Sequence, residues 1–218
     1  MLAIFKREFK SYFQNVIGWL FVAALLAVYG LYFYVYNLKN GYPYISYDLK
    51  GIGFIMMIAV PILTMRSLSD EKKTKTDQLM LTSPVSVGRI VAGKYLAMAA
   101  VYTIDIAIFA LSPLVLSIYG KVALSEAYVA LFGYWLYGLS CIAVGLFISS
   151  ISESVIISAI LTFAALFLSY MMQSITGLIS SSGNLLTKVL NCFDLYTPFE
   201  NFVSGCFSVT SAAYYVTV

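Results

Sequence analysis

The sequence predicts an all-α protein that crosses a membrane repeatedly, with a short helix held outside the bilayer between its second and third spans. Three observations point there. Apolar residues make up 61% of the 218-residue chain and charged residues only 11%, whereas a soluble domain carries about 25% charged residues. So few charges cannot dress a water-facing surface, and lipid must solvate the apolar faces instead. The uncharged stretches are long enough to cross hydrocarbon. Between two of them lies a polar block, RSLSDEKKTKTDQLMLTSPVSVGRIVAGK (66–94).

Composition also narrows the chemistry. The chain has no histidine, which removes the commonest metal ligand and general base. Its three cysteines lie far apart with no C-x-x-C pair, so no metal site is expected. Basic clusters with interleaved aromatics are missing, which argues against nucleic-acid binding. The start, MLAIFKREFKSYFQN, mixes charge and aromatics before a long apolar run. A cleavable signal peptide does not, so the first run is expected to stay.

The elements follow in order. Over 1–15, Phe5, Phe9, Tyr12, Phe13 and Val16 share one helical face, and Lys6, Arg7, Lys10 and Gln14 the other. That pattern suits a helix lying in the membrane interface, or one packed on protein. The first span covers 16–36, which at about 1.5 Å per residue crosses roughly 30 Å of hydrocarbon. Tyr29, Tyr32, Tyr34 and Tyr36 at its outer end read as an interfacial belt. The second span, 49–68, requires Lys50 and Arg66 to snorkel to opposite interfaces. The third, 95–118, carries Asp105 and Pro113. The fourth, 127–148, holds Cys141 as a small apolar residue, and the fifth covers 155–175. Pro61 and Pro113 each free a backbone carbonyl and are expected to kink their helices.

Beyond the fifth span, 176–213 reads as an outer tract with a turn at TGLISSSGNLL and a short amphipathic helix broken at Pro198. Cys192 and Cys206 both fall in it, and their spacing permits a disulfide without showing one. Residues 214–218 begin another apolar run, read as the start of a sixth span cut short. With the amino terminus inside, the cytoplasmic segments hold Lys6, Arg7, Lys10, Arg66, Lys72, Lys73, Lys75, Arg89 and Lys94, nine of the thirteen basic residues. That asymmetry places 66–94 in the cytoplasm.

Within the polar block, Ser69 is expected to cap a helix whose first turn carries Asp70 and Glu71. Glu71–Lys75 and Lys73–Asp77 are i,i+4 pairs in the favoured order. Leu79, Met80 and Leu81 supply an apolar tip, Pro84 stops the helix, and Ser86 caps the next one. A solvated loop needs neither tip nor pairs; a helix that presses on a cytoplasmic protein does. GRIVAGKY (88–95) nearly matches a phosphate-binding loop, but Tyr95 replaces the required hydroxyl and no strand precedes it. Gly88 and Gly93 are read instead as close-packing positions and Lys94 as an interface marker.

EKKTKTDQLMLTSPVSVGRIVAGKYLA resembles the coupling region of ABC-2 type transporter permeases, most nearly the branch that includes the gliding-motility-associated permease. LYTPFENFVSG (195–205) resembles their outer segment between the fifth and sixth spans. The resemblance implies a single transmembrane permease domain over 1–218, with six spans in complete members. It implies pairing with a second permease subunit as a homo- or heterodimer. A separate ATPase subunit would bind ATP and magnesium, leaving this chain without a cofactor or catalytic residue of its own. By position, Asp70 and Glu71 would meet the ATPase, Thr76, Gln78, Leu79 and Leu81 would match the coupling helix, and Pro84 its turn. Lys75 and Asp77 depart from the common pattern and would bear on the choice of ATPase.

Asp105 stands alone in the third span, where a carboxylate costs roughly 2.5–3.5 kcal/mol on insertion scales. It is either a proton or substrate contact, or a packing group, protonated or hydrogen-bonded to a nearby Ser, Thr or Tyr. The leading function is an exporter's permease subunit in the cell membrane. The rivals are an ion-coupled carrier using Asp105 and a membrane scaffold that transports nothing.

Overall fold

The computed structural model describes residues 2–75, 86–120, 122–179, 193–205 and 208–217. Every element among them is helical, and five stretches are long and apolar enough to cross a membrane: Val16–Lys39, Ser46–Lys73, Val87–Tyr119, Leu124–Ile151 and Val155–Met172. Thr76, Asp77, Gln78, Leu79, Leu81 and Pro84 lie outside the described residues, as do Cys192 and Cys206.

Helix α1 (Leu2–Gln14) leads into α2 (Val16–Phe33), which continues as a π-helical turn, Tyr34–Lys39. The corner between α1 and α2 is tight. A Cβ on Gly18 would sit 2.5 Å from the Tyr12 carbonyl oxygen, so only glycine allows that approach. The Trp19 indole N–H donates to the Phe13 carbonyl at 2.9 Å and its ring meets Phe13 edge-on. The polar face of α1 is exposed, while Phe5, Phe9, Tyr12 and Phe13 are half-buried. Much of that cover comes from the chain itself, because α1 packs along the first turns of the third span.

Helix α3 (Ser46–Thr64) runs through Pro61 without ending there. After a turn comes the short α4 (Ser69–Lys73), closed by Lys75 in the left-handed region at φ 55°. The expected i,i+4 geometry of Glu71 and Lys75 is therefore not realised. The third span is two helices, α5 (Val87–Phe109) and α6 (Ser112–Tyr119). Pro113 falls in the first turn of α6, where its missing N–H is no loss. Ser112 Oγ donates to the Phe109 carbonyl at 2.7 Å, taking over the acceptor that Pro113 cannot reach. Tyr29 of α2 hydrogen-bonds the same Ser112 hydroxyl and stacks on Phe109 at 4.0 Å. Tyr29 is thus a buried packing residue and leaves the interfacial belt expected for it.

Helix α7 (Leu124–Ile151) is the central post, and α8 (Val155–Ile179) packs on it and on α3. The outer tract contributes α9 (Thr197–Val203), and α10 (Val209–Thr217) follows. Pro198 opens α9 and does not break it: Asp194 accepts the backbone N–H groups of Tyr196 and Thr197 at 3.0 Å, and proline is well suited to the turn so capped. Phe199 and Phe202 of α9 are fully buried, with Phe199 stacked on Tyr137 at 5.4 Å.

Three glycines let α7 hold this centre. A Cβ at Gly133 would lie 2.3 Å from the Phe202 side chain of α9, at Gly138 2.3 Å from the Tyr102 ring of α5, and at Gly145 2.5 Å from Thr64 of α3. Helices in lipid gain association free energy from such close contact, because the hydrophobic effect does not distinguish a neighbour from an acyl chain. Tyr102 also donates to the Tyr134 carbonyl at 2.7 Å across the bare face of Gly138. Gly88, by contrast, faces open space, so the close packing expected there is not found.

Gly138→Ala is expected to lower stability by about 1–3 kcal/mol through overpacking, read as a fall in the unfolding temperature of the purified protein. Adding Tyr102→Leu should recover part of the loss, because it removes the ring that the new methyl strikes.

Candidate functional site

The polar groups converge where α1, the α3–α4 turn and the start of α5 meet. Lys94, two helical turns into α5, is only 2% exposed. Its ammonium pairs with Glu71 of α4 at 2.6 Å and with Glu8 of α1 at 3.5 Å, and donates to the Ser67 carbonyl at 2.9 Å. An ammonium has three protons to place, and three acceptors surround it. Arg7 then holds Glu8 at 2.8 Å, so two cations face two carboxylates. A buried charge is tolerable only with such complete pairing. Lys94 is therefore a buried tie between three segments and not the snorkelling interface marker expected from the sequence.

The amino end of α4 is capped from elsewhere. Ser149 Oγ of α7 accepts the backbone N–H groups of Leu68 and Ser69, both at 3.2 Å. Ser69 itself donates to the Met65 carbonyl, so it is the first residue of α4 and does not act as its cap. Lys72 donates to the Ser150 carbonyl at the end of α7. Five residues make too short a helix to persist alone. Here α4 is fixed by α1 and α5 through Glu71 and Lys94, and by α7 through Ser149, Ser150 and Lys72.

Between these elements lies a polar crevice of about 530 Å³, lined in part by Arg7, Glu8, Tyr12, Arg66, Ser67, Asp70, Glu71 and Lys94. Burial, then the neighbouring Glu8, holds the Tyr12 phenol above its ordinary value. Tyr12 is thus a neutral donor throughout the physiological range. Asp70 and Thr74 at its rim are exposed, as are Lys73 and Lys75. Of the residues predicted for coupling, the structure brings Asp70, Glu71 and Lys75 to this one end of the bundle. Ser86 stands at the N-cap of α5 as expected, in extended geometry, but its side chain makes no capping bond.

Asp105 is fully buried, and neither carboxyl oxygen has a hydrogen-bond partner. The hydroxyl of Tyr134 is likewise buried and unbonded. The hydrogen-bonded packing role considered for Asp105 is thus absent from this conformation. Sequence reasoning missed a second buried acid: Asp48, in the first turn of α3, accepts a hydrogen bond from Asn37 in the π-helical turn. Its place just outside the expected second span concealed it. Glu8 was missed too, although an acid among the aromatics of α1 is itself a signal. Cys141 is a free, buried thiol in α7.

Residues 33–216 match the family model described as ABC-2 family transporter protein. Comparisons with curated proteins and with solved structures give no match.

Lys94→Met leaves two carboxylates facing each other, and a cost of about 3–5 kcal/mol is expected. The triple replacement of Glu8 and Glu71 by Gln with Lys94 by Met should regain most of it, since removing a whole buried ion set is often near neutral. Ser149→Ala should cost about 1 kcal/mol, the usual value of a lost cap. Thermal unfolding of the purified variants measures all three.

Proposed function

The chain belongs to the ABC-2 family of transporter proteins, and from that premise we propose that α4 and the residues after it form the lever through which a separate ATPase drives transport. The chain is the membrane-spanning permease domain; ATP hydrolysis is not its own activity. Permeases of this family work with an ATPase partner, and ATP with magnesium would sit on that partner. The reading assigns the contact to Asp70, Glu71, Lys75, Thr76, Asp77, Gln78, Leu79, Leu81 and Pro84.

One observation carries the proposal: the buried Lys94–Glu71 pair joins α4 to the base of the third span. A push on α4 cannot be absorbed locally, because moving it would expose or unpair Lys94. The spans have satisfied backbones and shift as rigid bodies in lipid. The excess of basic residues on this side supports a cytoplasmic lever and amino terminus in the cell membrane. The motif over 71–97 resembles that of the gliding-motility-associated branch, and the family resemblance implies a dimer with a second permease subunit; the reading takes the transporter as an exporter. A second reading, ion-coupled transport through Asp105, draws support from its unpartnered carboxyl.

Asp70→Lys separates contact from fold, since Asp70 is exposed and outside the buried pair. We expect the assembled transporter to fold normally while ATP hydrolysis no longer drives transport; transport that stays coupled would count against the lever. Asp105→Asn should leave ATP-driven transport intact. If it abolishes transport while leaving assembly and hydrolysis unchanged, the second reading gains.

A further inference from the structure

The crevice beside Lys94 has the chemistry of a ligand site, and its lining shares Asp70 and Glu71 with the proposed coupling contact. Six charged side chains line it: Arg7, Arg66 and Lys94 against Glu8, Asp70 and Glu71. They sum to zero, yet they are not all spent on one another. Lys94, Glu8 and Glu71 form the inner set, with the exposed Arg7 on Glu8. Arg66 and Asp70 are exposed and have no ion pair among the described residues. Between them in sequence, Ser67 is 7% exposed, with its hydroxyl turned to the buried Tyr12 phenol.

Depth identifies the source of that ligand. Asn15 and Ile17, at the α1–α2 corner, line the crevice, and Trp19 stands exposed just beyond them. An exposed Trp at the end of a span, next to an amphipathic basic helix, marks the headgroup level of the bilayer. The volume of about 530 Å³ lies within the usual range for small ligands.

We propose that the crevice between α1 and the α3–α4 turn binds the headgroup of a phosphatidylethanolamine-type lipid, with its phosphate on Arg66 and its ammonium on Asp70. A guanidinium fits a phosphate through paired donors. A primary ammonium donates to a carboxylate, which a choline group cannot do because it has no N–H. A purely anionic headgroup would gain from Arg66 but would meet the carboxylates unpaired.

Native mass spectrometry of the full-length protein, delipidated and then titrated with phosphatidylethanolamine, phosphatidylcholine and phosphatidylglycerol of matched acyl chains, tests this. Ethanolamine lipid is expected to bind about tenfold more tightly than either, as one charge-assisted hydrogen bond would give. Arg66→Gln and Asp70→Asn should each erase the preference. Both charged positions are exposed, and a thermal scan of the same samples confirms folding. Equal binding of all three lipids, a preference for phosphatidylglycerol, or a preference unchanged in the variants would overturn the proposal. So would soluble phosphoethanolamine binding as tightly as the intact lipid. The readout needs neither nucleotide nor ATPase, so its failure is distinct from failure of the lever.

Discussion

An ammonium buried at the base of the third span sets the terms for everything around it. Lys94 is closed off from solvent and needs three acceptors at once. They come from the amino-terminal helix, from the turn after the second span, and from α4. None of the three segments can move away without leaving a charge unpaired in a low-dielectric place, and that penalty exceeds what surface ion pairs are worth. One residue therefore ties the amino-terminal helix, a five-residue helix and the third span into a single mechanical part.

The same logic extends to α7. Its glycines admit the second and third spans to close contact, and its last turn supplies Ser149 and Ser150 to hold α4. The far end of the bundle is filled by α9, whose Phe199 and Phe202 pack into α7. A displacement that starts at α4 thus has two rigid routes into the membrane, through α5 and through α7. Two of the buried polar groups without a hydrogen-bond partner, Asp105 and the Tyr134 hydroxyl, sit on those two helices. A bundle that pairs the buried lysine at its base but leaves these two unbonded in its middle keeps unspent polar interactions where the helices would slide.

Much of the fold was legible in the sequence because hydropathy alone dictates it: long uncharged runs have one solution in lipid, and five appeared where five were expected. The polar block announced a helix outside the bilayer for the same reason. What local pattern could not supply was who pairs with whom. A lysine at the end of a span normally reaches for water, and only the fold brings Glu8 and Glu71 to it. Ser69 looked like a cap because caps are usually local, yet the acceptor that serves α4 is Ser149, on another helix. Pro113 and Pro198 were read as kink and break, and both instead open helices, Pro198 behind the buried Asp194.

The central claim is that α1, α4 and the start of α5 move as one body. Spin labels at Lys6 and Lys73, both exposed, placed in a background without the native cysteines, report the separation of α1 and α4 by pulsed electron resonance. In the assembled transporter, that distance should stay the same between nucleotide-free and ATP-trapped states while transport proceeds. A change of several ångströms between the two states would show that the helices part during the cycle, and the buried lysine would not be the tie described here.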